Sequence, residues 1–344
     1  MRLPRIPRLA IRIPRIPGFS LKIPRVRISL PSFSPTTRAN AWVIGVFVLT
    51  LGVINWNTHA KSAGAYRGAV APQFTGVIDH QPTPATGSSA AAAPVSNGPR
   101  IDGKLALRLK QALLLDAKSK LQTIPDYLAT FTRQERVNGK LLARESTELK
   151  VRHAPFSVYM KWNEGSDVGR EVLFVEGQND NRMLVKKGGK VGEMLPTFKL
   201  EPTSDLAMKE SRYPVTTSGL SKLVDKILEF CGRDLKVDEG CACQFLPDQK
   251  IDGRMCYVIR TDYSCAEVDP EYRSSILFLD KVTALPLCVK NYGWSDRCGA
   301  PESANDKLTD DTLVEFYAFT GMRYHSRLPD AEFDQANSQY HFKR

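Results

Sequence analysis

The chain has 344 residues, a formal net charge of +11 and a hydrophobic fraction of 42%. The positive charge is uneven: residues 1–40 hold nine Lys or Arg and no acid, whereas residues 101–344 hold 36 basic and 36 acidic residues. A C-terminal region of zero net charge has no bulk attraction for phosphate backbones, which argues against a nucleic-acid-binding protein.

Residues 1–40 form a basic tail in which an Arg-Ile-Pro-Arg unit repeats, for example at residues 5–8 and 12–15. Prolines at this density exclude a continuous helix and favour an extended, polyproline-like chain. Two interpretations stay open. The tail lies on the anionic inner leaflet, at about 1 kcal/mol per basic residue, or it is a disordered cytoplasmic segment that only sets membrane orientation.

An uncharged apolar segment at residues 41–57 predicts one transmembrane helix, with Trp42 and Trp56 near its two ends. The basic residues before it orient the N-terminus towards the cytoplasm. The alternative is a cleaved signal peptide, with processing near Ala60 or Ala65. Both interpretations export the C-terminal part of the chain, so we expect a single-pass protein of the cell inner membrane whose C-terminal domain is periplasmic.

Residues 58–100 are rich in Ala, Gly, Pro, Ser and Thr, a composition typical of a flexible linker. Residues 101–344 are predicted to form one folded domain. It begins with a helix over residues 101–122, whose apolar stripe is formed by Leu105, Leu109, Ala112, Leu113 and Leu115.

Alternation with period two then predicts antiparallel strands. These are at residues 127–136 and 141–152 around a turn at 137–140, then 156–162, 171–176, a hairpin over 183–193 turning at Gly188-Gly189, 255–262, 275–279, 285–294 and 312–323. A second helix is predicted to follow the capping residue Ser218 and to end near Cys231. The predicted fold class is mainly β (α+β): a curved antiparallel sheet or unclosed β-barrel with helices against one face.

All seven cysteines lie in one stretch of the C-terminal domain. Outside the cytoplasm, disulfides are the default for Cys231, Cys241, Cys243, Cys256, Cys265, Cys288 and Cys298. In a reducing compartment the first three would suggest a metal site. Disulfides are favoured, and no metal is predicted, because no second pair at zinc spacing and no histidine within the stretch completes a tetrahedral site.

No motif proposes a reaction: the nucleophile elbow, the phosphate-binding loop, the dinucleotide fingerprint and the His-Glu-x-x-His zinc motif are missing from the sequence. We therefore expect a protein that is not an enzyme and needs no cofactor.

Several runs resemble a known family: Arg133-Gln-Glu-Arg-Val-Asn-Gly139, and residues 152–162, 169–177, 213–220, 313–319 and 334–342. Together they resemble domain of unknown function 1571, a bacterial envelope family common in planctomycetes, over about residues 105–342. Its architecture is similar to that of the LolA and LppX lipid carriers, an unclosed antiparallel barrel lidded by helices. The strand-turn-Leu-Pro hairpin at residues 276–287 is the feature most similar to those carriers, whereas the cysteine cluster departs from their pattern.

The resemblance implies a non-enzymatic periplasmic binding protein whose half-barrel holds a lipid or a lipoprotein acyl chain. An acyl chain needs only a dry apolar cavity, at about 0.8 kcal/mol per buried methylene. The expected lining, one residue or so per strand, is Phe131, Val158, Met160, Trp162, Phe174, Phe278, Leu287 and Phe316. The stripe at residues 156–162 could equally be ordinary core.

Arg152 has two interpretations: it pairs with a carboxylate at a strand entry, or it contacts an anionic head group. The alternative function for the whole chain is an envelope-sensing interaction module that binds a protein partner, similar to anti-sigma-factor regulators with a LolA-like domain. Its basic tail, which a simple carrier does not need, favours that alternative.

Overall fold

The computed structural model describes residues 101–165 and 167–342. The predicted tail, membrane segment and linker lie outside these residues. Within the described ranges, no helix is both long and apolar enough to cross a membrane.

The described residues form five α-helices and twelve strands, with short 3-10 turns between some of them. In chain order these are α1 (Gly103–Thr123), β1 (Asp126–Val137), β2 (Lys140–Leu141), β3 (Glu145–His153), β4 (Phe156–Trp162), β5 (Glu171–Val175), β6 (Met183–Lys186), α2 (Gly189–Met194), β7 (Phe198–Leu200), α3 (Asp205–Met208), α4 (Leu220–Asp234), β8 (Cys241–Ile251), β9 (Arg254–Tyr263), β10 (Ser274–Asp280), β11 (Pro286–Tyr292), α5 (Ser295–Cys298) and β12 (Leu313–Tyr324).

All strands belong to one antiparallel sheet of order β7-β6-β5-β4-β3-β1-β12-β11-β10-β9-β8, and β2 pairs with the end of β1. The pairing of β1 with β12 joins the two ends of the domain sequence. Among the described strands β7 and β8 are the two edges and do not pair with each other, so the sheet is unclosed. The predicted class, mainly β with an unclosed antiparallel sheet and few helices, is confirmed.

The sheet has two differently covered faces, because successive side chains of a strand point to opposite sides. The inner face packs against α1 and α4 and carries residues such as Leu149, Met160 and Val172. The outer face carries the intervening residues, such as Tyr159 and Leu173. Register shifts between β1 and β12, β10 and β11, and β11 and β12 are irregularities of the kind that bends a sheet.

Helix α1 confirms the first predicted helix but buries a different stripe from the one expected. Its buried residues are Ala106, Leu107, Lys110, Leu114, Ala117 and Leu121. Leu105 and Leu115, both assigned to the stripe, are 67% and 53% exposed. The buried face contains a lysine, which a hydropathy pattern assigns to solvent, and this explains the error.

Helix α4 begins at Leu220, and its N-cap is Gly219 rather than the predicted Ser218. The backbone N–H of Leu220 donates to the hydroxyl of Tyr127 at 2.8 Å, which ties the helix to β1. Gly219 has a φ of 96°, and a Cβ there would lie 2.7 Å from the Tyr127 hydroxyl. Only glycine combines this backbone conformation with that close approach.

The hairpin predicted over residues 183–193 is wrong in its second half. β6 forms as expected, but the chain then continues into helix α2. Gly188 packs so closely on the neighbouring loop that a Cβ would lie 2.2 Å from the Asp167 carbonyl oxygen. The two glycines therefore serve a close backbone approach and a helix start, not a two-residue hairpin turn.

The C-terminal segment, residues 328–342, covers the outer face of β4 to β6. Phe333 is buried there with Leu173 and Leu184. The rings of Tyr340 and Tyr159 stack with centroids 4.0 Å apart.

All seven cysteines are free thiols, so the predicted disulfides are not found. For the four cysteines on strands, the sheet register gives the reason. In the pairing of β8 with β9, Cys241 and Cys243 of β8 lie opposite Tyr263 and Thr261. In the same pairing, Cys256 of β9 lies opposite Gln249. Cys288 lies opposite Phe278 and Ala318. None of these four strand cysteines faces another cysteine.

Candidate functional site

A cavity of about 470 Å³ lies between the inner face of the sheet and helix α4. This volume is within the usual range of small-molecule sites, roughly 300–1,000 Å³. Its wall is mainly apolar. The sheet contributes Phe131, Leu149, Met160, Trp162, Val172, Met183, Leu277, Val289 and Phe319, and the helix contributes Leu223, Ile227 and Phe230.

Trp162 is held rigidly in this wall. Its indole N–H donates to Glu145 Oε2 at 3.0 Å. The guanidinium carbons of Arg170 and Arg133 lie 4.6 Å and 5.7 Å from the centre of its ring. Arg133 also donates to Glu145 at 3.1 Å. Because cation–π contacts and a charged hydrogen bond fix the indole, the apolar wall is preformed at this position.

Across the apolar wall runs one row of polar residues, set by the register of six neighbouring strands. From β8 through β12 to β1, consecutive members of the row are directly opposite each other. The row consists of Cys243, Thr261, Ser275, Asn291, Glu315 and Glu135. We call these six residues the polar row.

Glu135 and Glu315 form a buried pair of carboxylates, 5% and 4% exposed. Like charges directly opposite in a sheet destabilise it, and Arg212 bridges the two. Its backbone N–H donates to Glu135 at 3.1 Å, and its Nε donates to Glu315 at 3.2 Å. The Tyr317 hydroxyl donates to Glu135 at 2.6 Å.

Glu315 accepts two further hydrogen bonds on its other oxygen, from the Tyr272 hydroxyl at 2.9 Å and the Asn291 amide at 2.6 Å. Burial raises the pKa of Glu315 above the ordinary glutamate value, although Arg212, Asn291 and Tyr272 oppose that rise. Burial also raises the pKa of Tyr272 and Tyr317, so both phenols stay protonated and act as neutral donors.

The carboxylate end of the polar row has little donor capacity left for a ligand. The Asn291 amide nitrogen and the hydroxyls of Tyr272 and Tyr317 already donate to carboxylates. The Nε of Arg212 is engaged in the same way. An acceptor remains: Asn291 Oδ1 is buried and has no hydrogen-bond partner among the described residues.

At the other end of the row, Lys110 of α1 lines the cavity. Its ammonium donates to Thr261 Oγ1 at 3.1 Å, and the residue is only 4% exposed. The row therefore has a cation at one end and two carboxylates at the other.

The side chains of the polar row form a hydrogen-bond network around the two carboxylates. Among the described residues, no group of three or more His, Cys, Asp or Glu is placed to hold a metal ion. The carboxylates are engaged by Arg212 and tyrosine hydroxyls, which hold them in place.

The structure brings together some of the predicted lining residues and separates others. Phe131, Met160 and Trp162 line the cavity. Val158 and Phe174 are buried on the inner face with the helices but lie outside the lining.

Phe278, Leu287 and Phe316 pack together in a separate cluster. Leu277 and Tyr317, the chain neighbours of Phe278 and Phe316, line the cavity instead, and so does Val289, two residues after Leu287. Alternation therefore sends Phe278 and Phe316 to the outer face, and Leu287 lies at the register shift between β10 and β11.

Arg152 takes the carboxylate-pairing role. It forms an ion pair with Asp330 and donates to Ser157 Oγ at 3.0 Å. Its guanidinium lies 4.6 Å from the ring of Phe333. These contacts place Arg152 under the C-terminal segment on the outer face, away from the cavity.

The polar row was missed from the sequence, although one signal was present. Phe131, Arg133 and Glu135 share one face of a strand, and so do Glu315, Tyr317 and Phe319. The available signal was a charged residue, such as Glu135 or Glu315, on the otherwise apolar face of an alternating strand. Asn291 and Tyr272 gave no such signal, because their roles depend on the register of other strands.

A family model described as "Protein of unknown function (DUF1571)" matches residues 124–342. No curated protein matches the sequence.

Several solved structures are similar. A DUF1329 family protein from Desulfovibrio piger is 14% identical, with 67% of this chain and 97% of that chain covered and a TM-score of 0.32. The lipoprotein LppX of Mycobacterium tuberculosis is 12% identical, with 64% and 98% covered and a TM-score of 0.37. The MucA/MucB complex of Pseudomonas aeruginosa is 15% identical, with 65% and 60% covered and a TM-score of 0.36. These values are too low to support an inference about ligand or partner.

Proposed function

The chain belongs to the family described as Protein of unknown function (DUF1571), and for it we propose a non-catalytic binding function: the cavity holds the acyl chain of a lipid or lipoprotein. The family description names no activity, so the proposal rests on the cavity itself. The observation that carries it is a mainly apolar cavity of about 470 Å³ under helix α4.

The cavity wall suits an acyl chain because burial of each methylene contributes about 0.8 kcal/mol without any directional contact. Met160, Met183 and Leu223 supply flexible apolar side chains that can adapt to a chain of variable shape. Trp162, fixed by Glu145 and two arginines, supplies a rigid one.

We further propose that the domain is periplasmic and is tethered to the inner membrane by residues 41–57, with the basic tail in the cytoplasm. The charge distribution around the apolar segment supports this orientation. Protease added to cells with a permeabilised outer membrane should then reach an epitope in residues 101–344 and spare one placed in residues 1–40. Protection of the C-terminal epitope would exclude this orientation.

Native mass spectrometry of the full-length chain, released from micelles of a mild detergent, tests the binding function. We expect a reproducible extra mass that fragments as an acyl lipid. A clean apo mass that accepts no added fatty acid, alcohol or lysophospholipid would contradict the proposal.

A second candidate, an interaction module for an envelope protein partner, is favoured by the basic tail. Removal of residues 2–38, with a few basic residues kept for orientation, separates the two functions. A lipid carrier should keep its ligand and most of its activity, whereas a module that relays a signal across the membrane should lose that signal.

A further inference from the structure

The cavity contains a buried cation that the fold alone does not neutralise. Lys110 is 4% exposed, on a helix face otherwise formed by Ala and Leu. Among the described residues its hydrogen-bond partner is the Thr261 hydroxyl at 3.1 Å, and it forms no ion pair with any of them. An ammonium removed from water without a counterion costs several kcal/mol.

The neighbouring titratable groups do not supply the missing negative charge. Burial raises the pKa of Cys231 to about 11 and that of Cys241 to about 12, and it also raises the pKa of Cys243, so all three thiols are neutral. The Asp234 carboxylate accepts from Arg233 at 3.0 Å and from the Tyr263 hydroxyl at 2.9 Å.

We propose that Lys110 binds the carboxylate of a long-chain fatty acid, whose hydrocarbon chain occupies the apolar cavity. This inference rests on the proposed lipid-binding function and specifies its head group. Lys110 lines the same cavity as the apolar wall, so a single molecule can reach both. A charge-assisted hydrogen bond in a desolvated site is stronger than one in water.

The polar row determines which end of the cavity takes the anion. Ser275, the row member directly opposite Thr261, lines the same cavity as Lys110. Asn291 and Glu315 lie two and three strands from Thr261, roughly 10 and 14 Å away at the usual strand spacing. That end presents an unpartnered amide oxygen and two carboxylates that already engage the surrounding donors, so it offers an anion no hydrogen bond.

Photolabelling measures the head-group preference on the full-length chain. The chain is reconstituted in nanodiscs and labelled with a long-chain fatty acid that carries a diazirine on its hydrocarbon tail. Unlabelled fatty acid, its methyl ester and the amine of equal chain length are then compared as competitors. We expect the acid to compete at least about tenfold better than the ester. This is the gain in affinity that a hydrogen bond between the Lys110 ammonium and a carboxylate provides.

Lys110→Met is the decisive variant, and Lys104→Met is its matched control on the same helix. Lys104 is exposed and pairs with Asp238, outside the cavity lining. Lys110→Met should bring acid and ester to about equal affinity, whereas Lys104→Met should keep the preference for the acid. Lys110→Met should also raise the melting temperature of the ligand-free chain, because it replaces an uncompensated buried charge with an apolar side chain of similar length.

The outcomes separate this inference from the proposed function. If acid and ester compete equally in the unmodified chain, or if the amine competes best, Lys110 is not the anion site, although the cavity still binds a lipid. If Lys110→Met keeps the preference for the acid, the inference is also overturned. If none of the three competitors displaces the probe from the cavity, the lipid-binding function itself fails.

Discussion

Glu315 shows how burial changes the pKa of a single side chain. It lies directly opposite Glu135 in the sheet, is 4% exposed, and is held by Arg212, Asn291 and Tyr272. Burial dominates over these partners and raises its pKa. The contribution of this group to stability is thus fully present below the unfolded-state pKa of glutamate and is lost as the pH rises through the higher folded-state pKa.

We predict that Glu315 titrates above 4.5, the ordinary value for glutamate. Carbon-13 NMR of the side-chain carboxyl measures the midpoint. Arg212→Met should raise the midpoint further, since Arg212 is the largest influence that lowers the pKa of Glu315. A midpoint at or below 4.5 in the unmodified chain would contradict this description of the site.

Glu332 is predicted to behave in the opposite way. A hydrogen bond from Lys150 lowers its pKa, and one from Tyr340 acts in the same direction. Its stabilising effect is therefore present above the unfolded-state pKa and is lost as the pH falls through the folded-state pKa. Because solvent screens this partly exposed pair, Glu332→Gln should cost no more than about 1 kcal/mol of unfolding free energy at neutral pH, and much less in acid.

Urea unfolding at neutral pH and in acid below the glutamate range measures this difference. Glu148→Gln is the matched control, because Glu148 also pairs with Lys150 but is more exposed, at 43% against 25% for the Glu332 side chain. An equal effect of the two substitutions would show that the Lys150–Glu332 contact has no special role.

At the scale of elements, the C-terminal segment is an integral part of the fold. Phe333 is 2% exposed and packs against the outer face of the sheet. Phe333→Ala should therefore cost about 3–5 kcal/mol of unfolding free energy. Leu328→Ala, at a partly buried position of the same segment, should cost clearly less. Chemical denaturation of both variants measures this, and similar small losses would mean that the segment is only loosely attached.

The cysteines provide a second prediction at this scale. With all seven as free thiols, the chain denatured without reductant should take up seven equivalents of a maleimide. In the folded chain Cys241 and Cys265, both half-buried, should react before the other five, because Cys231, Cys243, Cys256, Cys288 and Cys298 are buried. Fewer than seven reactive thiols after denaturation would show that disulfides form.

Most strands were predictable from the sequence because the side chains of an alternating strand mark its two faces, but the edge strands β7 (Phe198–Leu200) and β8 (Cys241–Ile251) were not predicted. The predicted strand at residues 312–323, for example, corresponds to β12 (Leu313–Tyr324). The lining was only partly predictable. Phe278 and Phe316 were expected in the cavity because they are large and apolar. The alternation of side chains along their strands places them on the outer face instead. Lys110 was not part of the stripe predicted for α1, although its position on the helix buries it.

At the scale of the whole molecule, the polar row depends on contacts that no local pattern contains. Its six residues come from six strands between positions 135 and 315, and the pairing of β1 with β12 closes the distance between the two ends. A shift of one residue in any pairing would move a member to the other face. The site is therefore a product of sheet register, and prediction from separate segments could not assemble it.

The most direct test of the central claim, that the cavity under α4 is the lipid site, is to fill it. Leu223 lines the cavity, whereas Leu228 on the same helix packs against the core outside the lining. The photoreactive fatty acid is applied to the full-length chain with Leu223→Trp or Leu228→Trp, once circular dichroism shows that both variants fold. We predict that Leu223→Trp lowers labelling of the lining peptides at least about tenfold and that Leu228→Trp leaves it nearly unchanged. Equal labelling of the two variants, or labelling that maps outside the cavity, would contradict the account.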